Sequence, residues 1–385
     1  RKFKIAFTGS SDDRAAILSH DIGLRLVRNE MGETGFEIFI GGGLGRTPVV
    51  ARKLRSFLPK SQLLTYLEAI LRVYNLRGRR DNKYKARIKI LIKAMGVDHF
   101  RDEVDQHFQK LQPDQLSNLP VDISEIQKRF KSPLPFPVNP AKRQPDEGDS
   151  VEFRRWEIQN TTNSRHSRYR SVYISLKNPT RAPGDLSATE MRFIASLAER
   201  FSGSLIRTTH TQNLLLPLVH ENDLLSVWQA LQTNQLSAAN IATVQDIICC
   251  PGIEYCGLAN TTSIPIALEI QNLFQDPEEL KTLGDIQIKI SGCMNACGHH
   301  HIGHIGILGV DKKGSEWFQI TLGGRADNQL ALGARLGPAV DRQSIAAVVE
   351  SIIRHYQKQR HSEREHFLET LERIGVQSFR DIVYA

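Results

Sequence analysis

Apolar residues recur along this chain with two periods, and the changes of period divide it. The runs Lys4-Ile5-Ala6-Phe7 and Phe36-Glu37-Ile38-Phe39-Ile40 read as strands, the second leading into Gly41-Gly42-Gly43. From 61 to 110 the spacing is helical, marked by Leu63, Leu64, Leu67, Ile70 and Leu71, then by Ile88, Ile90, Leu91 and Ile92. The basic stretch RGRRDNKYKARIK, residues 77–89, lies between those marks. Residues 131–150 carry five of the 16 prolines. Proline at that density suits neither a helix interior nor a central strand, so an extended connection is expected there.

A compact α/β pattern follows. Residues 172–176 read as a strand, and Ser187-x-x-Glu190 as a capping box opening a helix that runs to about 201. Residues 205–207 and 214–216 read as paired strands around THTQN, and 223–231 as a second helix. Together they predict a small β-α-β-β-α unit. Residues 240–340 hold further strands, many glycines and all five cysteines, and 343–375 read as helix.

There is also a faint repeat. KIAFTGS (4–10) resembles KISGC (289–293), and each is followed by an aromatic β run ending in glycines, GFEIFIGGG (35–43) and EWFQITLGG (316–324). Two copies of one domain are expected, the second with cysteines where the first has Ser10 and its neighbours. The first copy lacks a counterpart of 170–240. That part is expected before Arg1, in keeping with a chain that begins without Met, straight into a strand, as a fragment or processed chain would. The domain boundaries expected are 1–130, a connection at 131–165, a small unit at 166–238 and a last domain at 239–385.

Composition sharpens this only in part. A length of 385 residues exceeds what one core usually holds, so two or three domains are expected. The formal charge of +8 favours acidic partners or anionic ligands. No apolar run approaches the roughly 18 residues of a membrane span, and the opening apolar stretch is too short for a signal peptide. A cytoplasmic location is the expectation. There, cysteine pairs read as metal or redox ligands before disulfides.

The thiols are Cys249, Cys250, Cys256, Cys293 and Cys297, giving C-x5-C and C-x3-C with Cys249 left over. Structural zinc usually takes short knuckles; C-x3-C suits it and C-x5-C is loose. A [4Fe–4S] cluster tolerates wider spacing, and two distant pairs on glycine-rich backbone fit it better. Glycines 252, 257, 292 and 298 let the backbone come close to an inorganic core. His299, His300, His301 and His304 read as polar residues packed beside the site or on its surface. A zinc-structured, basic nucleic-acid-binding module is the remote alternative. Its mark is aromatics interleaved on a basic face, and residues 77–93 offer only Tyr84.

CPGIEYC followed by SGCMNAC resembles the paired signature of the sirohaem-containing sulfite and nitrite reductases, and the whole run is most similar to the bacterial single-chain enzymes. RKFKIAFTGS, GFEIFIGGGLGRT, GRRDNKYKARIK and LIRTTHTQNLLL also resemble family segments. The resemblance implies an α+β fold with pseudo-repeated sirohaem-binding domains and a ferredoxin-like half-domain at 166–238. It implies a [4Fe–4S] cluster on Cys250, Cys256, Cys293 and Cys297, with Cys297 also the axial ligand of the sirohaem iron. By the same resemblance Lys2 and Lys4 bind the substrate anion. Arg1, Arg87, Gln212 and Asn295 lie near the sirohaem. The family pattern also has an earlier portion with further arginines, which this sequence does not contain. Lys4 favours sulfite over nitrite, since plant nitrite reductases place asparagine there and a second cation suits a dianion. No G-x-G-x-x-G opens a βα unit, so electrons are expected from another protein, an acidic ferredoxin or else a flavoprotein reductase. Neither nucleic acid nor membrane is expected as a partner.

Overall fold

In the computed structural model, which describes residues 2–111, 123–130, 150–164 and 166–385, most alternating runs become strands and the helical runs helices; of 205–207 only Arg207 enters a strand, and 343–375 is broken at 360–366 into two helices. Backbone contacts divide the chain into two units, Arg1–Lys131 with Gly324–Leu332, and Ser132–Gly323 with Gly333–Ala385.

The first unit holds β1 (Ile5–Thr8), β2 (Ile22–Arg28), β3 (Thr34–Ile40) and β4 (Arg52–Pro59) in that order, with β1 parallel to β2 and the others antiparallel. Helices α1 (Leu63–Arg77), α2 (Ile88–Met95) and α3 (Val97–Lys110) follow, and then the short α4 (Ile123–Arg129). Ile22, Leu24, Ile38, Ile40, Tyr66, Ile70, Ile88 and Phe100 share one core; α1 buries Tyr66, Ala69, Ile70 and Val73, while Leu64 is exposed.

The second unit opens with α5 (Val151–Asn160) and β5 (Thr161–Asn163), which shortens the connection expected over 131–165. Residues 131–149 of that connection lie outside the described residues. The physical reason for the shorter connection is local. Ser150 caps α5 by accepting the Phe153 N–H, and Phe153 and Trp156 are buried in the half-domain core with Val172 and Trp228. Burial of Phe153 alone contributes roughly 1.5–3 kcal/mol. Next come β6 (Tyr169–Ile174), α6 (Ala188–Phe201), β7 (Arg207–Thr208), β8 (Leu214–His220) and α7 (Leu224–Thr233), in a sheet of order β5-β6-β8-β7. The β-α-β-β-α pattern is thus present. Its capping box is formed as expected, with Glu190 N–H donating to Ser187 Oγ at 3.2 Å and Ser187 N–H to Glu190 Oε2 at 2.8 Å.

The remainder supplies β9 (Ile248–Cys249), α8 (Ile264–Leu273), α9 (Pro277–Leu283), β10 (Ile288–Ser291), β11 (Ile305–Lys312), β12 (Ser315–Leu322), β13 (Ala334–Arg335), β14 (Val340–Asp341), α10 (Ile345–Gln359) and α11 (Phe367–Tyr384). Strands β13-β12-β11-β10-β9 are neighbours in that order, with β14 on β12. Ile288, Ile290, Ile305, Ile307, Phe318 and Ile320 point into a core shared with α8, α10 and α11.

The faint repeat is real in the backbone. Ile5 faces Ile22 in one copy and Ile288 faces Ile305 in the other, the same spacing of 17 residues in parallel pairs. A left-handed residue, Ala16 or His299, opens a 3-10 turn in each, Ile17–Ser19 or His300–Ile302. Gly23 and Gly306 then pass so close to that turn that a Cβ would meet the carbonyl oxygen of Ile17 at 2.6 Å and of His300 at 1.9 Å. Isolated bridges recur as well, Gly43 with Val49 and Arg325 with Ala331.

Candidate metal centre and basic cluster

Strand β9 delivers the first cysteines. Cys249 is buried in the core beside Ile290, and burial pushes its thiol up to about 12, which suits an inert core residue. Cys250 follows, its N–H donating to Ile290 O at 3.1 Å. A 3-10 turn at Gly252–Glu254, with Gly252 at φ +66°, bends the chain towards Cys256, whose N–H donates to Gly252 O at 3.0 Å.

Strand β10 delivers the second pair. Cys293 and Ala296 close a turn (3.2 Å), Ala296 is left-handed, and Gly298 N–H donates to Ser291 Oγ at 3.1 Å. Gly292 laces the two loops together. Its carbonyl accepts the N–H groups of Asn260 (2.9 Å) and Thr261 (3.2 Å), and its own N–H points at Cys250 Sγ at 3.1 Å. Cys293 is buried, Cys250 and Cys256 are half-buried, and Cys297 and Asn295 are exposed.

Among the described residues, no group of three or more His, Cys, Asp or Glu side chains converges on a single metal ion. A cube of iron and sulfide binds one thiolate at each of four corners, so its ligands stand wider apart than those of one ion. The donor set fits such a group in its chemistry. Four thiols sit on two loops joined by backbone hydrogen bonds, one already receives an N–H of the kind that steadies a thiolate, and Gly292 and Gly298 come within 2.8 and 1.9 Å of backbone at the place of a Cβ.

The histidines are packed beside these loops. His300 is buried, neither ring nitrogen has a hydrogen-bond partner, and burial followed by its histidine neighbours lowers its pKa to about 3. His304 Nδ1 accepts the Gln287 N–H at 3.3 Å, and its ring stacks on Phe367.

In the first unit, Lys2 and Lys4 are exposed at the start of β1. Arg1 lies outside the described residues. Arg87 does not reach for open space. Its Nε and Nη2 donate to both oxygens of buried Asp21 at 2.9 and 2.7 Å, and the Lys4 N–H donates to the same carboxylate at 3.0 Å. Lys89, two residues on, donates to the carbonyls of Gly43, Leu44 and Thr47, and burial lowers its pKa to about 8. Asp21 therefore ties Lys4 to Arg87, and Lys89 shapes the glycine loop.

Gln212 is brought to the cysteines by an unexpected route. Its side-chain amide binds the backbone of Cys249, accepting the N–H at 3.0 Å and donating to the carbonyl at 2.8 Å. Fully buried Lys177 donates to Ile247 O at 2.8 Å and stands 3.9 Å from Asp246. Reading the sequence missed Asp21, Lys89, Lys177 and Asp246. A lysine or aspartate in a sequence reads as surface until its buried partner is known.

A family model described as the nitrite and sulphite reductase 4Fe-4S domain matches residues 1–111 and 240–385, and one described as the nitrite/sulfite reductase ferredoxin-like half domain matches 166–234. A sulfite reductase [ferredoxin] of Mycolicibacterium paratuberculosis is 24% identical over 92% of this chain and 59% of its own length. A chloroplastic ferredoxin–nitrite reductase of Arabidopsis thaliana is also 24% identical, over 92% of this chain and 56% of its own. The chain thus spans less than two thirds of the length of either relative. Among solved structures, the Mycobacterium tuberculosis NirA protein shares the fold with a TM-score of 0.68 and 23% identity, covering 94% of this chain and 61% of that one.

Proposed function

Because this chain belongs to the nitrite and sulphite reductase family, whose cofactors are sirohaem and a [4Fe–4S] cluster, we propose that it is the cluster-bearing part of an assimilatory sulfite reductase, carrying out the six-electron reduction of sulfite to sulfide. The observation that supports this reading is the lacing of the two cysteine loops through Gly292, since those two loops carry all four paired thiols.

Cys250, Cys256, Cys293 and Cys297 hold the cluster in this reading. The exposure of Cys297 supports the reading that it would serve the sirohaem as well as the cluster. Asn295, exposed on the same turn, would help hold the sirohaem. When bound, the pair would supply the electrons for the reduction, one at a time.

The protein's own part is charge and protons. Reduction of sulfite consumes protons and releases water, so a dianion must be held and protonated. Lys2 and Lys4 lie two residues apart, both exposed, just before β1. They neutralise the anion and hand on protons. Arg87 acts through Asp21, which fixes the Lys4 backbone; Gln212 acts through Cys249. Arg1 is assigned to the cofactor carboxylates by its place in the RKFK segment. Electrons come from an acidic ferredoxin, which the +8 charge suits, or from a flavoprotein reductase, and the cytoplasm is the place of action. Among the described residues no helix is long and apolar enough to cross a membrane.

Nitrite reduction to ammonia is the second reading, favoured by the equal identity to a nitrite reductase. The test is an anaerobic visible spectrum of the full-length protein with iron and acid-labile sulfide, followed by oxidation of a reduced dye with each anion. Sirohaem bands, about five irons per chain and faster turnover with sulfite are expected. Faster turnover with nitrite selects the second reading and removes the role given to Lys4. A colourless zinc protein overturns both.

A further inference from the structure

Strand β9 is the edge of its sheet, and the residue on it next to the first ligand cysteine is held from outside by a side chain. The β7–β8 hairpin of the half-domain turns through Gln212 at φ +60°, a backbone conformation that only a minority of non-glycine residues adopt. The turn is locked from both sides. Asn213 Oδ1 accepts the Leu176 N–H at 3.0 Å, and Asn213 Nδ2 donates to Asp246 Oδ1 at 2.9 Å. The Gln212 amide then takes the place of a neighbouring strand, bonding both backbone groups of Cys249.

An amide can be turned either way round, and here Lys177 decides. Its ammonium is 3.4 Å from Gln212 Oε1, so the oxygen faces it and the Cys249 N–H together. That ammonium has no exposed surface. It bonds the carbonyl of Ile247, three residues before Cys250, and Asp246 at 3.9 Å is its carboxylate neighbour.

We propose that Lys177 and Gln212 are positioning residues through which the half-domain acts on the metal centre: Gln212 holds the Cys249–Cys250 backbone in register, and the buried ammonium of Lys177 favours the reduced form of a cluster bound at Cys250. This rests on the cluster reading above. A cluster on four thiolates is anionic, and accepting an electron adds negative charge. Asp246 at 3.9 Å offsets part of the ammonium charge, and the part left over in a poorly screened interior stabilises that product more than the starting state. Net charge, hydrogen bonding and exposure are the levers that set such potentials.

The test uses the full-length holoprotein and three variants, Lys177→Gln, Lys177→Arg and Gln212→Leu. Iron and acid-labile sulfide are measured first. A wild-type protein that binds no cluster defeats the cluster reading itself, and this inference with it. With a cluster present, a potentiometric titration followed by electron paramagnetic resonance is expected to show about tenfold less reduced than oxidised cluster in Lys177→Gln at the wild-type midpoint, which is about 59 mV for one electron. Lys177→Arg keeps the charge and is expected to titrate with wild type. Gln212→Leu is expected to lose iron to a chelator about tenfold faster. A wild-type midpoint in Lys177→Gln overturns the charge effect, and a wild-type rate of iron loss in Gln212→Leu overturns the clamp; in either case the cluster reading stands. If Lys177→Gln does not fold, Asp246→Asn removes the opposing carboxylate and leaves the ammonium; the same charge effect then predicts a higher midpoint, and a wild-type midpoint in that variant overturns it.

Discussion

Asp21 gathers two of the basic residues expected around an anion. Its side chain is 1% exposed and that of Arg87 14%, so the pair is close to a buried one. Breaking such a pair from one side leaves an uncompensated charge and costs about 3–5 kcal/mol. Arg87→Ala is expected to lose that much in urea unfolding; a loss below about 1 kcal/mol would mean the ion pair contributes little. Lys289 is the opposite case. It is 5% exposed and donates no hydrogen bond among the described residues, and burial lowers its pKa to about 8, against a weaker pull from Asp285. For a base with a depressed folded pKa, the unfolded chain binds more protons between about 8 and 10.5, so stability rises with pH across that window. Lys289→Met is expected to be more stable than wild type at pH 7, with less of that rise; urea midpoints at pH 7 and pH 9.5 check both. At this scale the cysteines and the lysines of RKFK were legible because their chemistry is carried by type and spacing. Asp21 was not, because its partner lies 66 residues away.

Elements were legible where their signal is local. The capping box of α6 and the helical faces of α1 and α2 needed no partner to be read. Strands β13 and β14, two residues each, exist only because β12 pairs with them. Helix α5 was hidden by the prolines before it, although Ser150 and the apolar Phe153 and Trp156 marked its start. The β10 loop carries a strict local demand, since a Cβ on Gly298 would lie 1.9 Å from Ile290 O. Gly298→Ala is expected to cost about 1–3 kcal/mol through overpacking and to lower iron content, whereas Gly257→Ala, which meets nothing within 4 Å, leaves both unchanged. Iron per chain and thermal midpoints separate the two.

At the scale of the molecule, the repeat joins the two units as two renderings of one strand–turn–strand plan. The first closes its 3-10 turn on Ile17, Phe39 and Ala51, an apolar cluster. The second places His300 in the position of Ile17 and carries the cysteines. The charge of +8 belongs to this scale as well, because it acts before contact. With an acidic ferredoxin as donor to the full-length protein, the rate constant for electron delivery is expected to fall steeply between low and physiological ionic strength. A flat salt dependence in stopped-flow reduction would remove electrostatic steering from the picture.

Read alone, the sequence determined the family through its resemblance to a known paired signature, and the repeat and most helices and strands through residue type and short-range period. Tertiary structure alone decided which carboxylate Arg87 meets, that Gln212 completes the edge of β9, and that Lys177 and Lys289 are buried. Those are contacts between residues far apart in the chain. They form only when folding removes water from both partners, and no local spacing encodes that.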